Sequence, residues 1–505
     1  MRKIANFRFT LAALAIAATV VGCGGGGSSA TNPQSSTSIT ASGNGDIVNG
    51  MPANTDMAMP TFKLVLGELS EPGGTEANGV GSKFLNHMPV GVETDATLPV
   101  GPQNPKVYAP ADIRAAYNMP PLLASSTSYG TLTAAQAAAY GAGATIYIVD
   151  AYHSPTALAD LNTMSTKYNL PGCTAIAITK AAALPAARTN GCDFGVAYMN
   201  TAGIFTTTPP ATNVAWDEEI AIDTQWAHAI APLARIVLIE TANSFSNPAL
   251  IAGVMLANTF GPGTVSMSWS MPEFAYSGEA LWDQYVLGGV GMSYFAAAGD
   301  AGSQVNWPAV SPNVTGVGGT TLTWNGSGTR SEVGWSGSGG GYSKTYLAPA
   351  YQNSIIIPTH AMATQGAQTA PGATARGRAV PDVSMVADPY SGVYTAFTYN
   401  GAVHWYAMGG TSVGTPIMAA LAAVGNATRV LNHKATLGQF NANWYNGDYN
   451  YASTSITDIT TGNNCVSTTG VVCTLATDAA KVGWDPVTGW GTPNGTALVT
   501  NMEAH

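Results

Sequence analysis

The stretch Ala144-Thr-Ile-Tyr-Ile-Val-Asp150 is a short run of β-branched and aromatic residues that ends in an acid. Such a continuous apolar run is typical of a strand that is buried on both faces of a parallel sheet. Ala234-Arg-Ile-Val-Leu-Ile-Glu240 repeats the pattern, and the runs at 264–268 and 292–298 behave likewise. The sequence therefore predicts several parallel strands in its central part.

Helical patterns lie between these runs, at 156–168 and 218–230, and Leu170-Pro171-Gly172 ends the first of them. Strands that alternate with helices over this length predict an α/β domain with a mostly parallel central sheet and helices on its faces. Ligands of such sheets bind beyond the carboxyl ends of the strands. We therefore look for functional residues directly after the strand runs.

The composition excludes several classes of protein. The 505 residues are 46% apolar and 9% charged, so the chain is not disordered and can bury a sizeable core. Asp and Glu outnumber Lys and Arg by 28 to 18, and the net charge of −10 offers no basic surface to nucleic acid. We expect a globular protein whose partners are not nucleic acids.

The N-terminal residues predict export. A basic start at Met1-Arg2-Lys3, an apolar run at 11–21 and Gly22-Cys23 describe a signal peptide over residues 1–23. Val20-Val21-Gly22-Cys23 resembles a bacterial lipobox, in which Cys23 is lipidated; a plain secretory signal is the alternative. We expect a bacterial, extracytoplasmic protein that is secreted or attached to the outer membrane through Cys23.

Four cysteines remain after Cys23, namely Cys173, Cys192, Cys465 and Cys473. An even number in an oxidising compartment suggests two local disulfides, Cys173–Cys192 and Cys465–Cys473, although three pairings are possible. Residues 24–106 are rich in Gly, Ser and Pro and open with four glycines, which is typical of a tether.

The strongest local signal for chemistry is Met408-Gly409-Gly410-Thr411-Ser412-Val413-Gly414-Thr415-Pro416, followed by an apolar run. An aromatic strand ends here in a glycine pair, and Ser412 lies where a helix begins. Glycines allow a sharp turn, and a helix N-terminus favours negative charge that develops nearby. Ser412 is a candidate nucleophile, and an ordinary serine N-cap is the alternative interpretation.

A serine nucleophile needs a base, and histidine is the usual one. None of the seven histidines lies in a His-Gly-Thr stretch that opens a helix. His153 and His228 fit an ordinary loop residue and an ordinary helical packing residue. The base must then be sought among other side chains.

Glu219 and Asp223 are the better candidates, because a spacing of four places both acids on one helix face. Two acids that lie so near each other do not both ionise easily. We therefore expect that the pKa of one of them is raised and that the two titrate as a coupled pair. The alternative is a solvated acidic patch, and Asp217 and Glu218 are expected to be its solvated members.

Asp300 is a third acid of interest, because it follows a small-residue strand and lies between two glycines in Gly299-Asp300-Ala301-Gly302. An Asp in this setting most often caps a turn. Beyond a strand of a serine hydrolase, a protonated Asp300 would be able to donate a hydrogen bond to an oxyanion.

Motifs of one known family occur in order along the chain. They are Tyr108-Ala-Pro-Ala-Asp112, Glu219 with Asp223, Ser268-Trp269 before Glu273, Ala298-Gly-Asp-Ala-Gly302, Val317-Gly-Gly-Thr320, Gly339-Gly-Gly-Tyr-Ser343, Tyr351-Gln352, Val380-Pro-Asp-Val383, Gly409-Gly-Thr-Ser412 and Gly483-Trp-Asp-Pro-Val-Thr-Gly-Trp-Gly491. In this order the chain from about Val107 to Asn494 resembles the sedolisins, the serine-carboxyl peptidases that share the subtilisin fold.

The resemblance implies a subtilisin-like catalytic domain over residues 107–505, with the strand at Ser268 and Trp269 binding polypeptide substrates and the protein acting as a monomer. The family usually carries a long folded propeptide, and residues 24–106 would be a reduced remnant of it or a plain tether. Ser270 stands where the family favours glycine, which would alter how closely a substrate backbone approaches.

The resemblance also implies catalytic roles. Ser412 would attack the peptide carbonyl and form an acyl-enzyme, and Glu219 would accept and return its proton. Asp223 would orient Glu219, and a protonated Asp300 would stabilise the oxyanion. The implied enzyme is an endopeptidase. It is expected to work at acidic pH, because its base is a carboxyl and Asp300 must be protonated.

One structural calcium ion is implied near the C-terminus, since Thr457 to Gly462 and Gly483-Trp484-Asp485 resemble the calcium loops of the family. Calcium favours carboxylate and carbonyl oxygens. The calcium ligands that the resemblance implies are the side chains of Asp458 and Asp485 and the main-chain carbonyls of Ile459, Lys481 and Gly483.

Two other functions stay open at this point. A histidine-based subtilase would lose its activity with His153→Ala and keep it with Glu219→Gln. A catalytically silent, calcium-stabilised binding lipoprotein of the cell surface would show no hydrolysis that depends on Ser412.

Overall fold

The part of the chain that can be described comes from a computed structural model. It comprises residues 106–504 except 244–248, 274–282, 284, 363–372, 450–452 and 466–477, together with the backbone of short strands between residues 47 and 85. The chain divides into the units Met1–Asn44 and Gly45–His505, and everything described below belongs to the second. The predicted signal peptide and lipobox, with Cys23, lie outside the described residues.

The strands are numbered in chain order. They are β1 (Ile47–Val48), β2 (Met51–Pro52), β3 (Met59–Pro60), β4 (Lys63–Leu64), β5 (Glu68–Leu69), β6 (Phe84–Leu85), β7 (Thr145–Ala151), β8 (Cys173–Ala177), β9 (Cys192–Met199), β10 (Phe205–Thr206), β11 (Arg235–Thr241), β12 (Gly263–Met267), β13 (Trp269–Pro272), β14 (Met292–Ala297), β15 (Asn306–Trp307), β16 (Val314–Thr323), β17 (Ser331–Gly334), β18 (Gly341–Leu347), β19 (Thr359–Ala361), β20 (Thr374–Val380), β21 (Val383–Val386), β22 (Val393–Tyr399), β23 (Ala402–Gly409), β24 (Ile456–Thr457) and β25 (Thr492–Pro493).

The described α-helices are also numbered in chain order. They are α1 (Pro110–Ala116), α2 (Ala134–Ala138), α3 (Ala157–Lys167), α4 (Val214–Ile230), α5 (Ala249–Phe260), α6 (Thr411–Leu431) and α7 (Gly495–Ala504). In the part of the chain that the structure describes, no helix combines the length and the apolar character needed to cross a membrane.

A ten-stranded sheet forms the centre of the molecule, in the spatial order β10-β9-β11-β7-β12-β14-β16-β17, with β8 beside β9 and β21 beside β16. β10 and β17 pair antiparallel with their neighbours, and the other neighbouring strands of this sheet are parallel. The predicted mostly parallel sheet is confirmed, and its runs at 144–150 and 234–240 are β7 and β11.

Helices cover both faces of this sheet. The apolar side chains of each central strand point alternately to one face and to the other, so each strand packs against helices on both sides. Ile146 and Ile148 of β7 belong to the core cluster that contains α3, α4 and α6. Tyr147 and Val149 belong to the opposite cluster, which contains α5. Burial of each such aliphatic side chain contributes roughly 1.5–3 kcal/mol, so a strand with two apolar faces is held from both sides.

Helix α4 begins one turn before the predicted start, because the Asn213 side chain accepts a hydrogen bond from the Trp216 N–H at 3.2 Å and caps it. The prediction that Glu218 is solvated is wrong, since its side chain is fully buried. The reason is tertiary: α3, α6 and β22 all pack against α4 and enclose its polar positions. Asp217 is half-buried rather than solvated.

The predicted disulfide Cys173–Cys192 is confirmed, and it joins the first residues of the parallel neighbours β8 and β9. Cys473 lies outside the described residues, so its pairing with Cys465 stays a prediction.

The carboxyl ends of β7, β11, β12 and β14 meet at one edge of the sheet, as parallel pairing requires. Asp150 lies next to the last residue of β7, the chain continues from β12 and β14 into Ser268 and Asp300, and the N-terminus of α6 approaches the same edge. This edge therefore collects residues that are far apart in sequence.

Candidate active site

Ser412 lies in the first turn of α6, which starts abruptly after β23. Gly410 is the N-cap residue with φ of +96°, a conformation that L side chains rarely adopt, so the turn requires glycine here. The Ser412 side chain is fully buried, and its Oγ donates to the main-chain oxygen of Ser268 over 3.4 Å. Its position at a helix N-terminus favours negative charge on or beside the hydroxyl.

The structure brings Glu219 and Asp223 of α4 to Ser412. Both carboxyls are fully buried. Burial is the main cause that raises the pKa of Glu219 well above its usual range; the charges of Asp223 and Asp150 add to it, and the Ser412 hydroxyl lowers it. The Glu219 carboxyl is therefore the acid that interacts with the nucleophile.

Asp223 is held from the other side by Ser268. The Ser268 Oγ donates to Asp223 Oδ1 at 2.7 Å, which lowers the pKa of Asp223, whereas burial and then the charge of Asp150 raise it. The pKa of Asp223 is raised well above its usual range as a result. Glu219 and Asp223 are thus expected to lose their protons at a higher pH than an exposed pair would.

Asp150 is a third buried acid of this group, and no role was assigned to it from the sequence. Asp150 lies inside β7 and is fully buried. Because side chains alternate along a strand, it points with Ile146 and Ile148 toward the face of the sheet that carries α4. Burial and then Glu240, its register partner on β11, raise the pKa of Asp150 well above the usual range. The sequence feature that could have indicated its role is its position as an acid at the end of an apolar strand run.

Asp300 lies directly beyond β14 and reaches the first residue of α6. Its Oδ1 accepts hydrogen bonds from the Thr411 backbone N–H at 2.9 Å and from the Thr411 hydroxyl at 2.8 Å. Gly299 has φ of +108°, which allows the chain to turn at the end of the strand. Asp300 is therefore attached to the residue next to Ser412, and its charge raises the pKa of Glu219.

His153 and His228, the two histidines considered from the sequence, are engaged away from Ser412. His153 Nδ1 lies 2.6 Å from Glu240 Oε2, and this contact is the main cause of the raised pKa of His153. His228 contacts the Pro171 carbonyl oxygen through Nε2 at 2.8 Å, and burial lowers its pKa to about 4. The groups that shift the pKa of Glu219 are three acids and one serine, without a histidine.

Ser268 and Trp269, the predicted substrate-binding residues, lie at the junction between β12 and β13. The Trp269 indole N–H donates to the Val149 carbonyl oxygen at 2.8 Å, and its ring packs at 5.9 Å on Trp307. Beyond them, the Ser343 hydroxyl donates to Glu273 and the Lys344 backbone N–H donates to the same carboxyl. These contacts fix the strand that leads away from Ser412.

The structure also brings together the five predicted calcium ligands, Asp458, Ile459, Lys481, Gly483 and Asp485. Asp458 Oδ2 accepts the Gly483 N–H at 2.9 Å, and Asp485 Oδ2 accepts the Lys481 N–H at 3.1 Å. Asp458 Oδ1 is buried without a hydrogen-bond partner. A buried, unsatisfied carboxylate oxygen on a segment that is hydrogen-bonded to the loop of a second carboxylate fits a hard cation.

Sequence comparison identifies relatives over part of the chain. No protein-family model matches it. Kumamolisin of Bacillus sp. (strain MN-32) is 31% identical over 310 residues, which cover 56% of this chain and 50% of kumamolisin. Tripeptidyl-peptidase 1 is 31% identical over 227 residues in Mus musculus and 30% over 231 residues in Homo sapiens, covering 36% and 37% of those proteins. The chain thus spans half or less of the length of these relatives.

A solved structure shares the fold over most of the chain. "Pseudomonas sedolisin (serine-carboxyl proteinase) complexed with two molecules of pseudo-iodotyrostatin" matches with a TM-score of 0.55 and 21% sequence identity. The match covers 79% of this chain and 99% of that one. The helix-flanked, mostly parallel sheet is therefore the fold of that structure.

Proposed function

We propose that the chain is a member of the sedolisin family and a serine-carboxyl endopeptidase that acts at acidic pH through an acyl-enzyme on Ser412. The observation that carries the proposal is the burial of Ser412 against Glu219 and Asp223, two carboxyls whose raised pKa values allow them to hold and pass a proton. The kinship to kumamolisin and tripeptidyl-peptidase 1 supports the same chemistry.

In the proposed mechanism, the ionised form of the Glu219–Asp223 pair takes the proton of the Ser412 hydroxyl as Oγ attacks the peptide carbonyl carbon. Asp223 stabilises the proton on Glu219, and the hydrogen bond from Ser268 to Asp223 keeps that carboxyl oriented. Glu219 then gives the proton to the leaving amine. Water hydrolyses the ester on Ser412 by the same steps in reverse order.

Asp300 supplies the proposed oxyanion donor. Two hydrogen bonds from Thr411 are directed at Oδ1, so the proposal places the catalytic proton on Oδ2. A neutral carboxyl donates to a developing oxyanion, whereas a carboxylate repels it. The rate should thus rise as the Glu219–Asp223 pair ionises and fall as Asp300 loses its proton, with the maximum below neutral pH.

We propose that one calcium ion is held by the Asp458 and Asp485 carboxylates and by the carbonyls of Ile459, Lys481 and Gly483. An ion there would neutralise the two acids and pin the C-terminal loops to each other. Chelation of calcium is expected to lower the melting temperature, and Asp458→Asn is expected to remove that response to the chelator. A wild-type melting temperature that does not change when chelator is added would contradict the assignment.

The remaining proposals concern substrate and compartment. We propose unfolded polypeptides as substrates, a monomeric chain, and an extracytoplasmic location with export through residues 1–23 and attachment through Cys23. The disulfide Cys173–Cys192 supports an oxidising compartment. Mass spectrometry of the protein from bacterial membranes is expected to show a lipid on Cys23. An unmodified N-terminus produced by plain signal-peptide cleavage would contradict the attachment.

The test of the function is digestion of denatured protein by the wild type and by Ser412→Ala, from about pH 2 to about pH 8, with sequencing of the product termini. We expect internal cuts at acidic pH and a loss of at least about 10³-fold in the variant, because the nucleophile itself is absent. The melting temperature of the variant is measured beside its activity, so that a folding defect is distinguished from loss of the nucleophile. Equal activity of both proteins would contradict the proposal.

A further inference from the structure

A cavity lies toward the far end of the two helices that carry Ser412 and Glu219. Its volume is about 200 Å³, and α1, α2, α4, α6 and α7 all contribute residues to its wall. Ile230 of this wall is the last residue of α4. Leu421 follows Ser412 by nine residues, which is roughly 14 Å along α6. The cavity is therefore separate from the candidate active site, although both are built on the same two helices.

The inner part of the cavity wall is apolar. Met119, Ile230, Leu421 and Val424 line it, and none of these residues is more than 6% exposed. Thr496 and Thr500 of α7 belong to the same wall and are exposed, so the cavity opens to solvent beside them. Apolar atoms of a ligand would leave water on entering, which is the main favourable contribution to binding in such cavities.

One charged side chain, that of Arg114 in α1, is buried in this apolar wall and is 1% exposed. Its Nε donates to the Pro120 carbonyl oxygen at 2.6 Å, and its Nη1 donates to the carbonyl oxygens of Ala229 and Ile230 at 3.0 and 2.8 Å. These bonds satisfy the C-terminal carbonyls of α4. Within the described residues the third nitrogen, Nη2, donates to no acceptor.

The Arg114 guanidinium also lacks a carboxylate partner among the residues that the structure describes. Burial is the main cause that lowers the pKa of Arg114 to about 10, and the groups that raise it are the phenols of Tyr129 and Tyr140. A buried cation without a counter-charge destabilises the fold, and a bound anion would offset this. The anions that a guanidinium binds best are carboxylates and phosphates.

The other polar side chains of the wall are already engaged. The hydroxyls of Thr428, Thr496 and Thr500 donate to main-chain carbonyl oxygens at 3.1, 2.5 and 2.9 Å. Glu503 Oε1 accepts a hydrogen bond from the Asn432 side chain at 2.6 Å. The amide groups of a peptide would find few partners here, which makes their burial costly. A ligand with one anionic end and an apolar body fits this wall better.

We propose that this cavity binds a fatty carboxylate, whose carboxylate accepts a hydrogen bond from Arg114 Nη2 while its chain packs on Met119, Leu421 and Val424. At about 30 Å³ for each non-hydrogen atom, the cavity holds about seven such atoms, so a chain of about eight carbons would just reach the opening. The Glu503 carboxylate would repel an anion near it, which favours the ligand with its charged end at Arg114.

The test measures the binding of octanoate to the full chain at neutral pH, where a carboxylic acid is ionised. Isothermal titration calorimetry gives Kd, and thermal unfolding gives the melting temperature at each octanoate concentration. Three further compounds serve as comparisons. 1-Octanol and octylamine have the same chain without the anion, and N-acetylleucine has a carboxylate and an apolar side chain on a peptide backbone.

Three variants accompany the wild type. Arg114→Gln removes the guanidinium. Val499→Phe places a larger side chain in the cavity from α7, at a half-buried position of its wall. Val430→Phe is the matched control, because Val430 of α6 is 50% exposed and does not line the cavity. Ser412→Ala is included as well, and it should bind octanoate as the wild type does.

We expect the wild type to bind octanoate with a Kd below about 1 mM, and the melting temperature to rise with octanoate concentration. The two octyl compounds and N-acetylleucine should bind at least about tenfold more weakly. Val499→Phe should weaken octanoate binding at least about tenfold, and Val430→Phe should leave it unchanged. Arg114→Gln should weaken octanoate binding by a similar factor and leave 1-octanol binding unchanged, which would show that its cavity is still formed.

Several outcomes would overturn the inference. Equal binding of octanoate and 1-octanol by the wild type would mean that Arg114 recognises no anion, and equal binding of N-acetylleucine would contradict a fatty chain. If Arg114→Gln does not fold, because Arg114 also holds the end of α4, Val499→Phe decides: unchanged octanoate binding by this variant would place the ligand elsewhere. None of these outcomes affects the proposed peptidase function, since no hydrolysis is measured.

Discussion

Two fully buried ionisable clusters of this protein are built on opposite principles. In the first, Arg378 Nη2 donates to Asp382 Oδ2 at 2.7 Å, and Tyr445 and the Gly316 N–H donate to the same carboxyl. Burial is the largest single effect and lowers the pKa of Arg378, but the charges of Asp382, Tyr351 and Tyr445 and the hydrogen bond to Asp382 together raise it. Every charge in this cluster has an opposite charge or a hydrogen bond.

In the second cluster, Asp150, Asp223 and Glu219 lie near one another as three acids, and no cation is among the groups that shift their pKa values. Burial is the main cause that raises all three pKa values, and the charge of another acid adds to each: that of Glu240 for Asp150, that of Asp150 for Asp223, and that of Asp223 first for Glu219. A buried acid without a counter-charge destabilises the fold unless it is protonated. The comparison teaches that the first cluster holds the fold together, whereas the second is kept at a cost in stability because it can store and release a proton.

The strongest test of this contrast is Glu219→Gln. An amide cannot accept the proton of Ser412, so kcat/KM is expected to fall by about 10³- to 10⁴-fold. The melting temperature should be unchanged or higher, because an uncompensated buried acid has been removed. Steady-state kinetics and thermal unfolding measure the two effects.

Glu218→Gln is the matched control for that variant, since Glu218 is the neighbouring residue, equally buried, and has a pKa raised by burial. It should keep wild-type kcat/KM within about threefold. Equal losses in both variants would mean that burial of an acid in α4, and not its contact with Ser412, matters for activity.

Asp382→Asn probes the other cluster. The change leaves the Arg378 guanidinium buried without its counter-charge, so the free energy of unfolding should fall by about 3–5 kcal/mol. Activity per folded molecule should stay near that of the wild type. Denaturant unfolding measures the first quantity, and active-site titration of the folded fraction supports the second.

Asp193→Asn is the corresponding control, because the ion pair of Arg188 with Asp193, at 2.8 Å, lies near the surface with 38% and 16% of the two side chains exposed. Its loss should cost no more than about 1 kcal/mol. Should both variants lose equal stability, the distinction between buried and surface pairs would not hold here.

Asp150→Asn is expected to have a smaller effect, on the pH dependence of catalysis. The Asp150 charge raises the pKa values of Glu219 and Asp223, so its removal should lower both. The acidic limb of the pH–rate profile should move to lower pH, with a change in maximal kcat of about 3- to 10-fold. An unshifted limb with reduced kcat would show that Asp150 acts only through packing.

The smallest expected effect is on stability as a function of pH. The folded-state pKa values of Glu219 and Asp223 lie above the unfolded values, so the unfolded chain releases these protons first as the pH rises. Their contribution to stability is fully present below about pH 4 and is lost as the pH rises toward the folded-state pKa values. The double variant Glu219→Gln/Asp223→Asn should lose about 1–2 kcal/mol less than the wild type between about pH 4 and about pH 7. Parallel stability curves of the two proteins would contradict this.

Much of the fold could be predicted because its signals are local. The apolar runs at 144–150 and 234–240 define β7 and β11 to within one residue. The start of α4 was less accurate, since Asn213 caps this helix one turn before the predicted start. Solvation of Glu218 was predicted wrongly because it depends on α3, α6 and β22, which a helical pattern does not reveal.

The candidate site was only partly predictable. Glu219 and Asp223 stand one helical turn apart, and Ser412 follows a glycine pair, so both features are visible in the chain. Asp150 offered a weaker signal, as an acid at the end of an apolar run. The pairing of β3 and β4 with β13 and β23 had none, because two-residue strands carry no periodicity.

The sequence by itself determined the parallel strands, the acids on α4 and the serine that opens α6, because each depends on residues within a few positions of one another. Only the tertiary structure decided which acids are buried without a counter-charge and which strand reaches the nucleophile. The hydrogen bonds of Ser268 to Asp223 and of Ser412 to Ser268 join residues 45 and 144 positions apart. Burial and charge, which set the pKa values, arise from such distant contacts, and no local pattern encodes them.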